Sequence, residues 1–411
     1  MKWKKGAIYA LKWRFFWAYA LIWGFMSSLL FIKLSTLYFV YFSLLGVMAP
    51  YLSLYLEDEG YSLLEIGQLL SILMLTKMIA PMIWGGLADK YNKNMLLVRI
   101  GSLMTLLCYI GFFWADAFWT MAIVIILYSF FWNAILPQIE VITLYNLAEN
   151  KNRYSRIRLW GSIGFIFSVA FCGWLFEVLT ISIFPYVLLA LIISIFVVSL
   201  FRFNEVKVTR CKLVEGSLFK DQLCRSWVLL FFVVSFLLQV SHGAYYTYFS
   251  IYLSSLDYSK TQIGWLWALG VIAEVIVFVV MHRWLKRSAI ENIMLLSLAL
   301  TLIRWAITAY YADSLLLITI MQCLHAFSFG AMHVVSIQFV HSNFDQHNQG
   351  RAQALYSSMG FGAGGAVGAY LSAYIVEGAG YSAAFMASSA ISLMAIVFVL
   401  VMKHQLRHHR S

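Results

Sequence analysis

The chain has 411 residues, of which 62% are hydrophobic and 11% are charged. Soluble globular domains are about 45–50% apolar and about 25% charged, so this composition excludes a soluble enzyme, a disordered chain and a small disulfide-stabilised domain. The chain lacks the polar residues that would cover the surfaces of soluble domains. We therefore expect it to use a lipid bilayer as its solvent.

Unbroken apolar runs of about 20 residues recur along the chain, and one helix needs this length to cross a bilayer. A transmembrane barrel would instead show shorter segments in which apolar and polar residues alternate. The runs predict an all-α membrane protein with twelve transmembrane helices. The predicted helices are 34–56, 65–86, 95–114, 118–141, 159–178, 183–201, 227–251, 262–282, 291–311, 315–339, 353–375 and 382–402.

The N-terminal extension, residues 1–33, does not fit this series. The segment 15–32 is apolar, but only Lys33 separates it from the first predicted helix, which is too short for the chain to reverse direction. It could form an interfacial helix behind a basic leader, and it lacks the small-residue cleavage site of a signal peptide. We prefer the hypothesis that translation starts at Met26 and that residues 1–25 are not native.

The connections between the predicted helices differ in charge between the two sides of the membrane. Taken alternately from the N-terminus, one set of loops is rich in lysine and arginine, whereas the other set contains only Lys260. An excess of basic residues marks the cytoplasmic side, so we expect both termini to be cytoplasmic. The formal net charge of +11 then reflects membrane topology and does not indicate a nucleic-acid partner.

An internal repeat divides the chain into two halves. Residues 51–69 and 248–266 are identical at nine of nineteen positions, and the polar positions match as well as the apolar ones. The match predicts two six-helix bundles, 34–201 and 227–402, with a cytoplasmic linker at 202–226 and a tail at 403–411. Parallel repeats of this kind are typical of transporters, in which the substrate binds near the midplane between the halves.

The same repeat aligns two charges that lie deep in predicted helices. Lys77 corresponds to Glu274, so we expect both residues to face the interface between the halves. Charges at this depth are costly and usually face a cavity or a partner. Lys77 is either a counter-charge for an anionic substrate or a structural partner of Glu274 or of another buried acid, and the sequence leaves these interpretations open.

Glu274 and two further embedded residues are candidates for function. Glu274 could bind the substrate, carry a transported proton or neutralise Lys77 or Arg304, and Arg304 could be its fixed partner or a substrate contact. His325 is a candidate proton relay because histidine titrates near neutral pH. The acids and histidines are too scattered for a metal site, and no nucleophile–base pair indicates an enzyme. We therefore expect no metal and no cofactor other than a proton gradient.

The segment 85–93, between the second and third predicted helices, resembles the signature loop of the major facilitator superfamily. Gly85, Asp89, Lys90 and Lys93 match that pattern, and Asn92 replaces its second glycine. The resemblance implies the major facilitator fold. It also implies that Gly85, Asp89 and Lys90 belong to a loop that governs switching between conformations.

Other residues resemble the proton-coupled lactose permease type. Glu140 and Arg158 match the acid and the arginine that contact the sugar in that family, and the interval between them is the same. Glu274, Arg304 and His325 fall on positions that this family uses for substrate contact and proton coupling. The chain departs from the family three residues before and after the histidine, where Gln322 and Ser328 replace a lysine and a carboxylate.

A broader resemblance, from about Met26 onward, is to the phenylpropionate permease family. The matching stretches are 158–162, 242–246, Tyr252, 269–276, 304–305 and 322–325. The resemblance implies proton-coupled uptake of an aromatic monocarboxylate across a bacterial inner membrane, and we expect a monomer.

Our hypothesis is symport by alternating access. We expect Lys77 and Arg158 to attract the carboxylate, and Glu274 with His325 to carry the proton. The aromatic residues expected to pack the apolar part of the substrate are Trp160, Tyr245 and Tyr246. The alternatives are a proton symporter for an oligosaccharide or a nucleoside and, in a different class, a membrane sensor or scaffold that transports nothing.

Overall fold

The structure, a computed structural model, describes residues 3–147, 153–203 and 218–410, and it describes side chains only between residues 29 and 408. Ten of its membrane-length helices are single spans. These are α1 to α10: Leu29–Asp58, Leu63–Tyr91, Asn94–Trp114, Phe118–Leu147, Tyr154–Leu179, Ile181–Ser199, Ser226–Ser254, Lys260–Arg287, Ile290–Tyr311 and Leu315–Asn343.

The last long helix, Gln346–His408, has 63 residues and is too long for a single crossing. Its backbone leaves the helical region at Gly380, where φ is 81° and ψ is 176°. Only glycine adopts such a conformation readily, so the helix breaks there into α11 (346–379) and α12 (381–408). The predicted all-α membrane fold is confirmed, and each of the twelve predicted helices overlaps one of α1–α12.

The helical backbone that contains α1 starts further upstream than predicted. It runs without interruption from Trp3 to Asp58, with no break at Lys33. The segment before α1 is therefore part of the same helix and does not form a separate interfacial helix. The proposed translation start at Met26 stays a prediction.

Residues that correspond in the internal repeat also make equivalent hydrogen bonds in the two halves. Ser62 and Glu65 form a capping box at the start of α2, and the corresponding Ser259 and Gln262 form one at the start of α8. Such reciprocal bonds satisfy the free N–H groups of a first helical turn. The two copies thus begin their second helices in the same way.

A second pair of equivalent bonds lies in the connections that follow. Tyr61 donates a hydrogen bond to the carbonyl oxygen of Ala115 at 3.0 Å, and Tyr258 donates to the carbonyl oxygen of Ala312 at 2.9 Å. Donors and acceptors both correspond under the repeat. The equivalence therefore extends well beyond the segment in which the sequences match.

The two six-helix groups meet most closely at the ends of the helices that the charge pattern places outside. The amide of Lys260, at the start of α8, donates to Glu177 Oε2 of α5 at 2.7 Å. Nearby, Tyr248 of α7 donates to the carbonyl oxygen of Leu63 in α2 at 2.6 Å. Gly173 and Gly264 allow α5 and α8 to cross closely, because an added Cβ on either would lie 3.4 Å from the other Cα.

Contacts between the groups continue to about mid-depth along α2 and α11. Ser71 donates to the carbonyl oxygen of Ala366 at 2.9 Å. Further along, an added Cβ at Gly362 would lie 2.7 Å from Met78 Cβ. At the same depth Ser358 donates to the carbonyl oxygen of Met78 at 3.4 Å, and among the described residues no hydrogen bond or ion pair joins α2 to α11 beyond this point toward the opposite end. The structure is thus closed at the predicted outer end.

Candidate functional site

A charged cluster is buried between α8, α9 and α10. His325 Nε2 lies 2.7 Å from Glu274 Oε1, and His325 Nδ1 lies 3.0 Å from Arg304 Nη1. The three residues are almost completely buried, with exposed fractions of 8% for Glu274, 0% for Arg304 and 5% for His325. The structure therefore brings together all three residues that the sequence predicted for proton coupling. We call them the buried triad.

The geometry assigns the tautomer of the histidine. A guanidinium has only donors, so His325 Nδ1 accepts the hydrogen bond from Arg304. The neutral ring then carries its proton on Nε2 and donates it to Glu274 Oε1. Glu274 and Arg304 thus interact through the ring, with the carboxylate on α8 and the guanidinium on α9.

Two further hydrogen bonds of Arg304 go to α10, whereas its Nε is buried without a partner among the described residues. Nη1 also donates to Ser328 Oγ at 3.0 Å, and Nη2 donates to Gln322 Oε1 at 3.4 Å. The same Gln322 oxygen accepts from the Tyr245 hydroxyl at 3.0 Å. Gln322 and Ser328 are the residues that depart from the lactose permease pattern, and here both hold the arginine. Their spacing on either side of His325 was visible in the sequence, but their partner was not.

Aromatic rings enclose the guanidinium. Arg304 Cζ lies 4.4 Å from the centre of the Tyr245 ring and 4.3 Å from that of Trp305. Cation–π contacts of this kind stabilise a desolvated arginine. Tyr245 is buried within this cluster, whereas Tyr246 is half-buried, and its ring centre lies 5.8 Å from that of His242.

His242 is held by its own helix region. Its Nδ1 lies 2.8 Å from the carbonyl oxygen of Leu238, so Nδ1 carries the proton and donates. His242 is thus a hydrogen-bonded interior residue.

A stretch of π-helix follows directly after His325. It covers Ala326–Ala331 within α10, and a second one covers Ser358–Gly364 within α11. Such wide turns are rare and frequently lie at functional sites. The turn in α10 brings Gly330 against α8, where an added Cβ would lie 3.4 Å from Glu274 Cγ. Helical periodicity in the sequence gives no signal for this feature.

A second set of charges lies in the N-terminal group of helices. The Arg158 guanidinium stacks on the ring of Phe42, with Cζ 4.0 Å from the ring centre. Within the described residues Arg158 makes no hydrogen bond or ion pair, and Glu140 is half-buried nearby. Sequence reasoning did not identify Phe42.

Trp160 does not join either charged cluster. Its side chain is 40% exposed, and among the described residues it has no close ring contact. Successive residues of a helix are about 100° apart around its axis, so residues two positions apart are about 200° apart. Trp160 therefore faces away from Arg158 on α5. The sequence places both residues in one motif, but helical geometry points them to different sides.

Lys77 is half-buried in α2 and makes no ion pair with any described residue. The expected alternative, a structural pair with Glu274, is not formed, because the Glu274 carboxylate contacts His325. The neighbouring Thr76 instead belongs to a buried polar group with Ser129, at 2.8 Å, and Asn133, at 2.9 Å. Lys77 therefore remains a cation without a protein counter-ion in the described part of the chain.

The predicted switch loop lies at the end of α2 opposite to the contact between α5 and α8. Asp89 and Lys90 are exposed, and Gly85 is half-buried. Asn92 has a φ of 53° and ends α2 by donating its amide to the carbonyl oxygen of Ala88 at 2.8 Å. Asparagine is one of the few residues that tolerates this left-handed conformation. The asparagine thus fulfils the backbone role of the glycine that it replaces.

Comparison with known proteins places the chain in a family. The model of the MFS_1 like family matches residues 31–387. A probable 3-phenylpropionic acid transporter of Escherichia coli (strain K12) is 25% identical over 371 residues, which cover 87% of this chain and 94% of that protein. A maltose permease of Geobacillus stearothermophilus is 25% identical over 368 residues, covering 89% and 92%.

A solved structure supports the same fold. The crystal structure of nucleoside transporter NupG has a TM-score of 0.78 with this chain at 20% sequence identity, and it covers 91% of this chain and 98% of that one. The resemblance to the major facilitator superfamily is therefore confirmed. The chain belongs to the MFS_1 like family and is a multi-pass membrane transporter of the major facilitator type, not an enzyme.

Proposed function

We propose that this transporter is a proton-coupled symporter of an aromatic monocarboxylate of the phenylpropionate type. The buried triad of Glu274, Arg304 and His325 carries the proposal. In this enclosed site the imidazole ring of His325 connects one acid, Glu274, to one permanent cation, Arg304. The similarity to a probable 3-phenylpropionic acid transporter supports the choice of substrate class.

The charges that lack partners favour an anionic substrate. Lys77 and Arg158 are half-buried and have no ion pair with a described residue. A cation held within the membrane is costly unless an opposite charge compensates it. A carboxylate that enters between the halves supplies this charge, and its aromatic ring can pack against the apolar walls.

The triad provides a physical reason for coupling. With Glu274 ionised, its charge balances that of Arg304 through His325. When Glu274 takes up a proton, the positive charge of Arg304 is no longer compensated, and the site gains affinity for an anion. Proton and carboxylate then enter together. Counted over Glu274, Arg304 and the substrate, the net charge is zero both in the empty site and in the loaded one, whereas either ion alone leaves a net charge. The carrier can close around a neutral load more readily than around a net charge.

The arrangement of the halves supports alternating access. The contacts between α5 and α8, and between α2 and α11, lie from the predicted outer end to about mid-depth. Given a cytoplasmic location of both termini, this conformation faces inward. Transport then requires these outer contacts to open while the cytoplasmic ends of α2 and α11 approach each other.

Uptake into proteoliposomes tests the proposal. An inwardly directed proton gradient should drive accumulation of radiolabelled 3-phenylpropionate by the native protein. Glu274→Gln should lose this accumulation but keep substrate exchange, because the amide is always neutral. Glu59→Gln, on an exposed loop, is the matched control and should behave as the native protein. Full gradient-driven uptake by Glu274→Gln would refute the role of this residue.

A second candidate is a proton symporter for an oligosaccharide or a nucleoside. Glu140 supports it, because this acid lies near Arg158 without forming an ion pair and can accept hydrogen bonds from hydroxyl groups. The similarity to a maltose permease fits the same function. Competition of labelled maltose, uridine and 3-phenylpropionate in the same proteoliposomes separates the two candidates.

A further inference from the structure

Arg158 is held in an unusual way for a half-buried arginine. Its guanidinium lies 4.0 Å from the centre of the Phe42 ring, and within the described residues it donates no hydrogen bond. The Phe42 ring is in turn supported by Tyr38, stacked at 6.5 Å, and by Tyr41, edge-on at 5.5 Å. The guanidinium therefore rests on a fixed aromatic surface while its N–H donors remain available.

Gly161 lies one helical turn after Arg158 and makes this position possible. A Cβ at residue 161 would lie 2.8 Å from Arg158 Nη1 and 2.7 Å from Phe42 Cδ2. Both distances are too short for real contacts, so any side chain there forces the ring or the guanidinium to move. The Phe42 ring is confined by Tyr38 and Tyr41, whereas the arginine end is flexible. The guanidinium is thus the group that must leave.

The protein also leaves a polar atom unused beside this surface. The Trp132 indole nitrogen is buried and has no hydrogen-bond partner among the described residues. Trp132 stacks on Tyr41 with 5.3 Å between ring centres, so it belongs to the same aromatic wall. Buried polar groups without partners are uncommon in native proteins and call for an explanation.

We propose that Phe42 and Gly161 are positioning residues that hold the Arg158 guanidinium on the aromatic wall, with its donors directed to a substrate carboxylate. This inference rests on the proposed function. Stacking on Phe42 fixes the position of the guanidinium. Unlike an ion pair with a protein carboxylate, it leaves the positive charge uncompensated. The two residues thereby determine where a carboxylate binds, and they do so through Arg158 without contributing a charge of their own.

Transport kinetics test the effect on substrate. We measure KM and maximal rate for 3-phenylpropionate in proteoliposomes with Gly161→Ala, Phe42→Leu and Phe42→Tyr. Cation–π contacts contribute free energies that correspond to about 2- to 30-fold in affinity, so Gly161→Ala and Phe42→Leu should raise KM by this factor with little change in maximal rate. Phe42→Tyr keeps the ring and should stay near the native value. Gly350→Ala, where a Cβ has open space, is the matched glycine control.

A second measurement needs no substrate. A double-mutant cycle of Phe42→Leu and Arg158→Met on the thermal unfolding of the detergent-solubilised protein measures the coupling between ring and guanidinium. Coupling in this cycle together with the rise in KM supports the inference. Additive effects, or an unchanged KM in Gly161→Ala, would overturn it. If the native protein transports no 3-phenylpropionate, the proposed function fails, and the cycle alone decides whether Phe42 holds the arginine.

Discussion

His325 connects Glu274 to Arg304: its Nε2 donates to the Glu274 carboxylate at 2.7 Å, and its Nδ1 accepts from the guanidinium at 3.0 Å. Within the described residues the two opposite charges share no direct hydrogen bond. The protonation state of the acid is therefore communicated to the arginine through a single ring. The three residues of the buried triad therefore act together, and a change in one of them should alter the other two.

Replacement of His325 should separate a bridging role from a packing role. His325→Leu removes both hydrogen bonds and leaves two buried charges without a connection, which should destabilise the protein by about 3–5 kcal/mol. His325→Gln can still donate to Glu274 and accept from Arg304, so its loss should be smaller. Thermal unfolding in detergent checks the order of the two variants. Equal stability of both would show that the bridge contributes little.

Lys77 should be required for an acidic substrate only. Lys77→Ala removes a charged donor and should weaken binding of 3-phenylpropionate about 10- to 150-fold, since a hydrogen bond to a charged group contributes about 1.5–3 kcal/mol. Uptake of a neutral sugar or nucleoside should be unaffected. Lys77→Arg keeps the charge and serves as the control. An equal loss for charged and neutral substrates would contradict the role of Lys77 as a counter-charge.

The contact between α5 and α8 should open during transport. In a background without native cysteines, Glu177→Cys and Lys260→Cys together should be joined by a short bismaleimide, because the side chain of residue 177 reaches the backbone of residue 260. The cross-link should hold the outer end closed and stop uptake. Each single cysteine should transport normally after the same treatment. Undiminished uptake by the cross-linked protein would show that this contact does not open.

Asn92 should be replaceable by glycine but not by alanine. The left-handed conformation costs a residue with a Cβ about 1–2 kcal/mol, and asparagine avoids part of this cost. Asn92→Ala should therefore lower the unfolding temperature, whereas Asn92→Gly should keep or raise it. Differential scanning of the purified protein measures both. A neutral effect of Asn92→Ala would mean that the turn after α2 relaxes without strain.

The helices and their pairing were largely predictable from the sequence. Long apolar runs indicate membrane-spanning helices directly, so the sequence predicted all twelve helices. The predicted ends were less accurate because helices begin at polar cap residues, such as Ser62 before α2, that lie outside the apolar runs. The repeat identified equivalent positions, and Tyr61 and Tyr258 make equivalent bonds. The break at Gly380 was also expected, since a loop was predicted between residues 375 and 382.

The candidate site was only partly predictable. The members of the triad were identified because charges are rare in membrane helices, but their pairing was not. Glu274 was expected to neutralise Lys77 or Arg304 and to carry the proton together with His325, and its carboxylate contacts His325. Phe42 escaped notice because an aromatic residue in a membrane helix carries no signal of its own.

The central claim is that a proton and a carboxylate cross the membrane together. The most direct measurement is the pH outside weakly buffered proteoliposomes when 3-phenylpropionate flows inward down its own gradient. We predict alkalinisation of the outside medium, with about one proton taken up for each carboxylate, and no such change with Glu274→Gln. Substrate flux through the native protein without any change in external pH would contradict the account.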